Sequence, residues 1–175
     1  VDYLVHDDQD GTSLALEVAA NLPEPELLRS FARHAVSDDP LRRRMVASAL
    51  GSGCSTDCDR LLAGLLDDAD ETVRTAAAEA AGRVAAESLA TTLGRCLGDS
   101  SWNVRREAGQ ALEHLGAVGT LVLRSHLRDP DLFARDMARQ SLDAISARRA
   151  SMLPIVEEAL VADVDDWVPV DRQAS

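Results

Sequence analysis

Residues 68–82 read DADETVRTAAAEAAG: an acidic turn, then Val73-Arg74, then a run of small apolar residues. Alanine heads the helix-propensity ranking, so the stretch is a turn leading into a helix. The phrase returns at 99–116, DSSWNVRREAGQALEHLG, with Val104-Arg105 in the matching places. Upstream, residues 38–51 read DDPLRRRMVASALG with Arg43 in the role; downstream, 129–145 read DPDLFARDMARQSLDAI with Arg135. The arginine therefore recurs at 43, 74, 105 and 135, in steps of 31, 31 and 30 residues. A fixed period of this size marks a repeat array, in which each unit buries its apolar face only against its neighbours.

Each arginine-bearing helix is preceded by a leucine-bearing one, expected at 57–67, 87–97 and 118–128. Leu62, Leu93 and Leu123 form one column, and Leu66, Leu97 and Leu127 another. In the second helices the columns are Val46, Ala77, Ala108 and Ala138, then Leu50, Ala81, Leu112 and Leu142. Such spacing makes an inward stripe wide enough to contact two neighbours. Gly51, Gly82 and Gly116 stand near helix ends, where a left-handed cap suits glycine. The expected fold is all-α: a right-handed solenoid of stacked antiparallel helix pairs, about five units, degenerate at both ends. An acidic lead-in takes 1–12, the repeats 13–163 and a tail 164–175. At the front, Ser13 suits an N-cap for Leu14, Val18 and Leu22 at helical spacing. A helix at roughly 24–36 then places Leu27, Leu28, Phe31, Ala32, Ala35 and Val36 on one face. At the far end, 151–163 supplies a last leading helix without a partner, and Trp167 and Val168 are expected to fold back over it.

Apolar residues make up 46% of the 175 but aromatics only 3%, so the core must be built from Ala, Leu and Val. A net charge of −12 argues against nucleic acid, whose phosphates need clustered cations. It argues equally against an anionic membrane surface and suits a basic or amphipathic partner. All 18 cationic residues are arginine, which excludes Walker-type phosphate loops, Schiff-base chemistry and Ser–Lys dyads. Three cysteines, Cys54, Cys58 and Cys96, are an odd number that predicts free thiols in a reducing compartment, hence a cytoplasmic location. There is no signal peptide and no run of about twenty apolar residues. Because the first residue is Val, a longer or membrane-tethered parent protein stays open.

The three phrases at 68–82, 99–116 and 129–145 resemble the HEAT-repeat family, specifically its short bacterial branch related to phycobilisome-lyase HEAT-like repeats. They follow that family's D-x(4)-V-R-x-x-A-x-x-A-L-G pattern; the departures are Arg42 in the upstream 38–51 phrase, where Val is usual, and Ala134 and Asp143 in the last full unit. The resemblance covers roughly 24–163 and implies a non-catalytic, cofactor-free scaffold that binds a protein or peptide. It also implies two alternatives: an accessory subunit of a lyase or chromophore-handling complex, and the soluble domain of a membrane-tethered assembly factor. A DNA-glycosylase branch of the family uses a basic concave face, for which this chain has the wrong charge.

The arginine column, Arg43, Arg74, Arg105 and Arg135, is expected to be structural, since a residue repeated in every unit is architecture before it is a ligand contact. Asp38, Asp68, Asp99 and Asp129 recur just ahead and supply partners for a bidentate ladder. Partner binding is expected from the second helices, which line the concave face of such stacks. Arg44, Arg106 and Arg139, with Glu79, Gln110 and Gln140, are assigned to that face. Trp102 and Phe133, at the start of second helices in an aromatic-poor chain, are expected either as interface anchors or as plugs between units. The Cys54-x-x-x-Cys58 spacing lacks the second ligand pair of a zinc site, so no metal is expected; ordinary loop thiols are the first expectation there and a redox-reversible loop disulfide the alternative. No nucleophile–base–orienter trio is visible, and Glu113 and His114, adjacent on a helix, diverge. No catalytic residue is assigned.

Overall fold

The computed structural model describes residues 24–52 and 56–165, with side chains for 28–52 and 58–151. The acidic turns act as helix starters. Asp39 accepts from the Leu41 N–H at 2.9 Å and opens α2, Pro40–Leu50, with proline at the first helical position, where its missing N–H costs nothing. Asp70 accepts from both the Thr72 N–H (2.8 Å) and its hydroxyl (2.6 Å) and opens α4, Glu71–Arg83. Asp131 accepts from the Ala134 N–H at 2.9 Å and opens α8, Leu132–Asp165. The fourth second helix in this series is α6, Trp102–His114.

Between them run the leading helices α1 (Glu24–His34), α3 (Thr56–Leu66), α5 (Ala90–Cys96) and α7 (Gly116–His126). A 3-10 turn, Glu87–Leu89, leads into α5. Each second helix packs on the next, α2 on α4 on α6 on α8, and the leading helices form a second layer. Leu62, Leu93 and Leu123 are fully buried between the layers, as are Ala77, Ala108 and Ala138. Val73 and Val104, ahead of the arginines, are buried as well, with Ala134 in the same place on α8. Alanine columns let helices approach closely, so the small-residue composition and the tight layer are one fact seen twice.

Four expectations need correction. First, no break precedes residue 151: α8 runs without interruption to Asp165. Residues 146–151, SARRAS, hold no glycine or proline to stop it, and the Ser146 and Ser151 hydroxyls bond back to the Leu142 and Arg148 carbonyls within the helix. Second, Gly116 is left-handed at φ +59, but Gly51 is right-handed and Gly82 lies inside α4. The left-handed residue after α4 is Ala85, at φ +50. Third, α1 stops at His34, so Val36 lies past its end and is exposed, as is Ala32. Fourth, Cys58 is disulfide-bonded, which removes the free-thiol argument for a reducing compartment. Cys96 is free, and burial pushes its thiol up to about 11, leaving it protonated and inert at neutral pH. The expected helix on Leu14, Val18 and Leu22, the fold-back of Trp167 and Val168, and Cys54 lie outside the described residues. None of the described helices is long and apolar enough to cross a membrane.

Candidate functional site

Each described arginine of the column turns one edge to its own turn. Arg43 Nη1 donates to the Ser37 carbonyl at 2.7 Å, Arg74 Nη1 to Asp68 at 2.8 Å, Arg105 Nη1 to Asp99 at 2.6 Å and Arg135 Nη1 to Asp129 at 2.6 Å. The other edge reaches forward. Arg43 Nε and Nη2 grip Asp68 of the next unit at 2.7 and 2.8 Å, and Arg74 grips Asp99 at 2.8 and 2.9 Å. These bidentate pairs are mostly buried, and in both cases the aspartate lies 25 residues on. Hydrogen bonding from Arg43 holds the Asp68 carboxyl below its ordinary range. At Asp99 burial pushes upward, and the bonds from Arg74 and the Ser101 N–H outweigh it, so that carboxyl is also lowered.

The third junction, α6 to α8, has no such pair. The step there is one residue shorter, and Asp129 stands 24 residues beyond Arg105. Asp129 instead accepts from the Asp131 N–H at 2.8 Å and lies 2.8 Å from His126 Nδ1; both contacts hold its carboxyl low. The Arg105 guanidinium turns onto the Phe133 ring, 4.5 Å from its centroid.

A second lock is missing at the same place. A Cβ on Gly51 would fall 3.0 Å from Ala80 Cα, and one on Gly82 would fall 2.9 Å from Ala111 Cα, so these glycines set the contact distance of α2 with α4 and α4 with α6. Position 113 continues that column, and there the residue is glutamate. Helices α6 and α8 still meet at Gly109, whose Cβ would fall 2.6 Å from Ser141 Oγ. One turn further on, where the earlier junctions have glycine, stands Glu113. The two helices pack less closely here than either earlier pair.

The gap is a groove of about 460 Å³, lined by Arg106, Gln110, Glu113 and His114 of α6 and by Met137, Gln140, Ala144 and Arg148 of α8. Arg148 covers its far end, ion-paired to Glu113. At the near end Arg106 is paired with Glu107 at 2.5 Å, and its guanidinium lies 5.2 Å from the centroid of the Trp102 ring. Trp102 and Phe133 are both more than half exposed. Among the described residues, the side chains of Gln110 and Gln140 make no hydrogen bond and present free carboxamides from opposite walls.

Of the eight residues assigned to partner binding, the groove brings together Arg106, Gln110 and Gln140, with Trp102 and Phe133 at its mouth. Arg44 and Glu79 are exposed on earlier second helices, in the columns of Arg106 and of the two glutamines; Glu79 lies 3.9 Å from Arg83. Arg139 does not join them. Its column is Ala47, Ala78 and Gly109, all buried toward the following unit, so Arg139 faces the end of the stack. Glu113, His114, Met137, Ala144 and Arg148 were not singled out as partner contacts from sequence. The signal that reveals them is the glutamate interrupting the glycine column.

Helix pairs stacked in two layers, with second helix on second helix along the chain, define an α-solenoid. The profile of the HEAT-repeat family, described as HEAT repeats, matches residues 1–82 and again 58–143, and the chain belongs to that family. HEAT repeats in general mediate protein interactions. The fold is also shared by the crystal structure of an engineered protein from a structural genomics consortium, at 20% identity and a TM-score of 0.51, over 83% of this chain and 77% of that one. No curated protein matches the chain significantly.

Proposed function

We propose that the chain is a non-catalytic scaffold that holds a protein or peptide against its second-helix layer, centred on the α6–α8 groove. The observation that carries this reading is the groove itself: the one described junction between second helices where both the arginine–aspartate clamp and the glycine contact are missing. Support comes from three further features. The second helices pack on one another more extensively than the leading helices do, which supports reading the second-helix side as the inner, concave one. Trp102 and Phe133, each backed by an arginine, offer rigid aromatic anchors at the mouth. Preformed helices lose little freedom on binding, so most of the ordering cost falls on the partner.

The test is capture of partners from native lysate by wild type and by an Arg106→Ala/Gln110→Ala/Gln140→Ala variant side by side. A partner held by wild type and lost by the variant, at unchanged melting temperature, supports the reading. Equal capture by both removes it.

A further inference from the structure

We propose that the groove recognises a cationic side chain on a peptide, an arginine or lysine that takes the place of Arg148 on Glu113. The inference rests on the reading of the groove as the binding site and adds the class of group it takes. Glu113 is the groove's buried charge: its side chain is 7% exposed, while that of Arg148 is 55% exposed. With Arg148 seated on it, little of this carboxylate meets water, and a cation at that place compensates its charge. Arg148 comes from the part of α8 beyond the last repeat phrase, 35 residues from Glu113. It is not part of either junction lock. The chain thus shows which group the far end of the groove accepts, a guanidinium, and presents it on an exposed side chain.

An anionic ligand would have to draw Arg148 off Glu113 and abandon the carboxylate. A cationic ligand replaces what it displaces. The opposing charge on the near wall, Arg106, is already neutralised by Glu107. Gln110 and Gln140 are neutral and able to bond a peptide main chain on either side of the inserted group. At long range the net charge of −12 draws cations in and repels anions. Arg148 is then an internal competitor that lowers the affinity of the groove for its ligand by the fraction of time it is seated.

The experiment measures fluorescence anisotropy of a short labelled peptide with one central arginine, its citrulline isostere and its glutamate counterpart. Wild type, Arg148→Ala, Glu113→Gln and the double variant are compared, each checked for an intact melting transition. The double variant removes both charges together and leaves no orphaned group. Arg148→Ala is expected to tighten the arginine peptide by about tenfold. Glu113→Gln and the double variant are expected to lose it, and the citrulline peptide to bind none of the four. An unchanged or weakened affinity in Arg148→Ala, or equal binding of citrulline, overturns the proposal. Binding of the glutamate peptide that is lost in Arg106→Ala and indifferent to Glu113→Gln also overturns it, while leaving the groove as a peptide site. If the partner captured from lysate is indifferent to the triple variant of the groove, the underlying reading falls as well.

Discussion

Arg74 of α4 holds Asp99 in a two-pronged grip, Nε to Oδ2 at 2.8 Å and Nη2 to Oδ1 at 2.9 Å, across the boundary between one helix pair and the next. Arg105, one unit on, has no such hold on Asp129 and rests on Phe133 instead. The two positions are the same in the repeat and different in what they fasten. A double-mutant cycle separates them. Arg74→Ala with Asp99→Ala is expected to give a coupling energy of about 1–3 kcal/mol, because each single change strands a mostly buried charge. Arg105→Ala with Asp129→Ala is expected to be additive, as for residues that share no contact. Urea unfolding of the six variants against wild type measures both, and equal couplings would show that the clamp does not distinguish the junctions.

Acid should loosen the clamped junctions. The carboxyls of Asp68 and Asp99 titrate below their ordinary range in the folded chain. A depressed folded value means the stabilisation is fully present above the unfolded value, about 3.9, and is lost as pH falls through the lower folded value. Stability is therefore expected to fall between about pH 4 and the lower folded values. Asp68→Asn/Asp99→Asn should start lower and show a flatter acid limb. Thermal melts taken at stepped pH decide it; parallel acid limbs in wild type and variant would assign the loss to other carboxylates.

Much of the fold is readable from period and composition, because the same column of residues meets the same environment in every unit. Leu62, Leu93 and Leu123 are buried for one shared reason, and reading one amounts to reading three. What the period conceals is its own exceptions. The missing residue between Arg105 and Asp129 was visible as a step of 30, yet its consequence, an arginine turned from a carboxylate to a ring, required coordinates. Arg139 is polar like the inner-face residues but stands in the register of Ala47, Ala78 and Gly109, a buried column that ends uncovered. The long α8 is unreadable as one helix from sequence because the expected pairing of helices argues for a break before residue 151.

The leucine columns make a prediction of their own. Leu93→Ala removes a fully buried side chain from between two units and is expected to cost about 2–5 kcal/mol. Leu127 stands in the column of Leu66 and Leu97, both buried, but follows the last junction and is 37% exposed. Leu127→Ala should cost under about 1.5 kcal/mol, since much of its side chain meets solvent in both states. Chemical denaturation of the two variants checks the order. A reversed order would mean that position 127 is covered in solution.

Whether the groove is made by Glu113 can be asked by trading residues along one column. Gly82 touches α6 so closely that any side chain must push backbone aside, Ala111 Cα being 2.9 Å from where a Cβ would stand. Gly82→Ala is accordingly expected to cost about 1–3 kcal/mol, the range for overpacking a tight contact, well above the usual gain from replacing a helical glycine. Glu113→Ala opens space where the helices already diverge, and the arginine it leaves unpaired is exposed, so the loss should stay under about 1 kcal/mol. The two substitutions act on the same position of successive units and put the same residue there. Their difference therefore isolates the spacing of the helices from the chemistry of the side chain. If Gly82→Ala proves stabilising, the junction between α4 and α6 is no tighter than the one between α6 and α8, and the groove has some other origin.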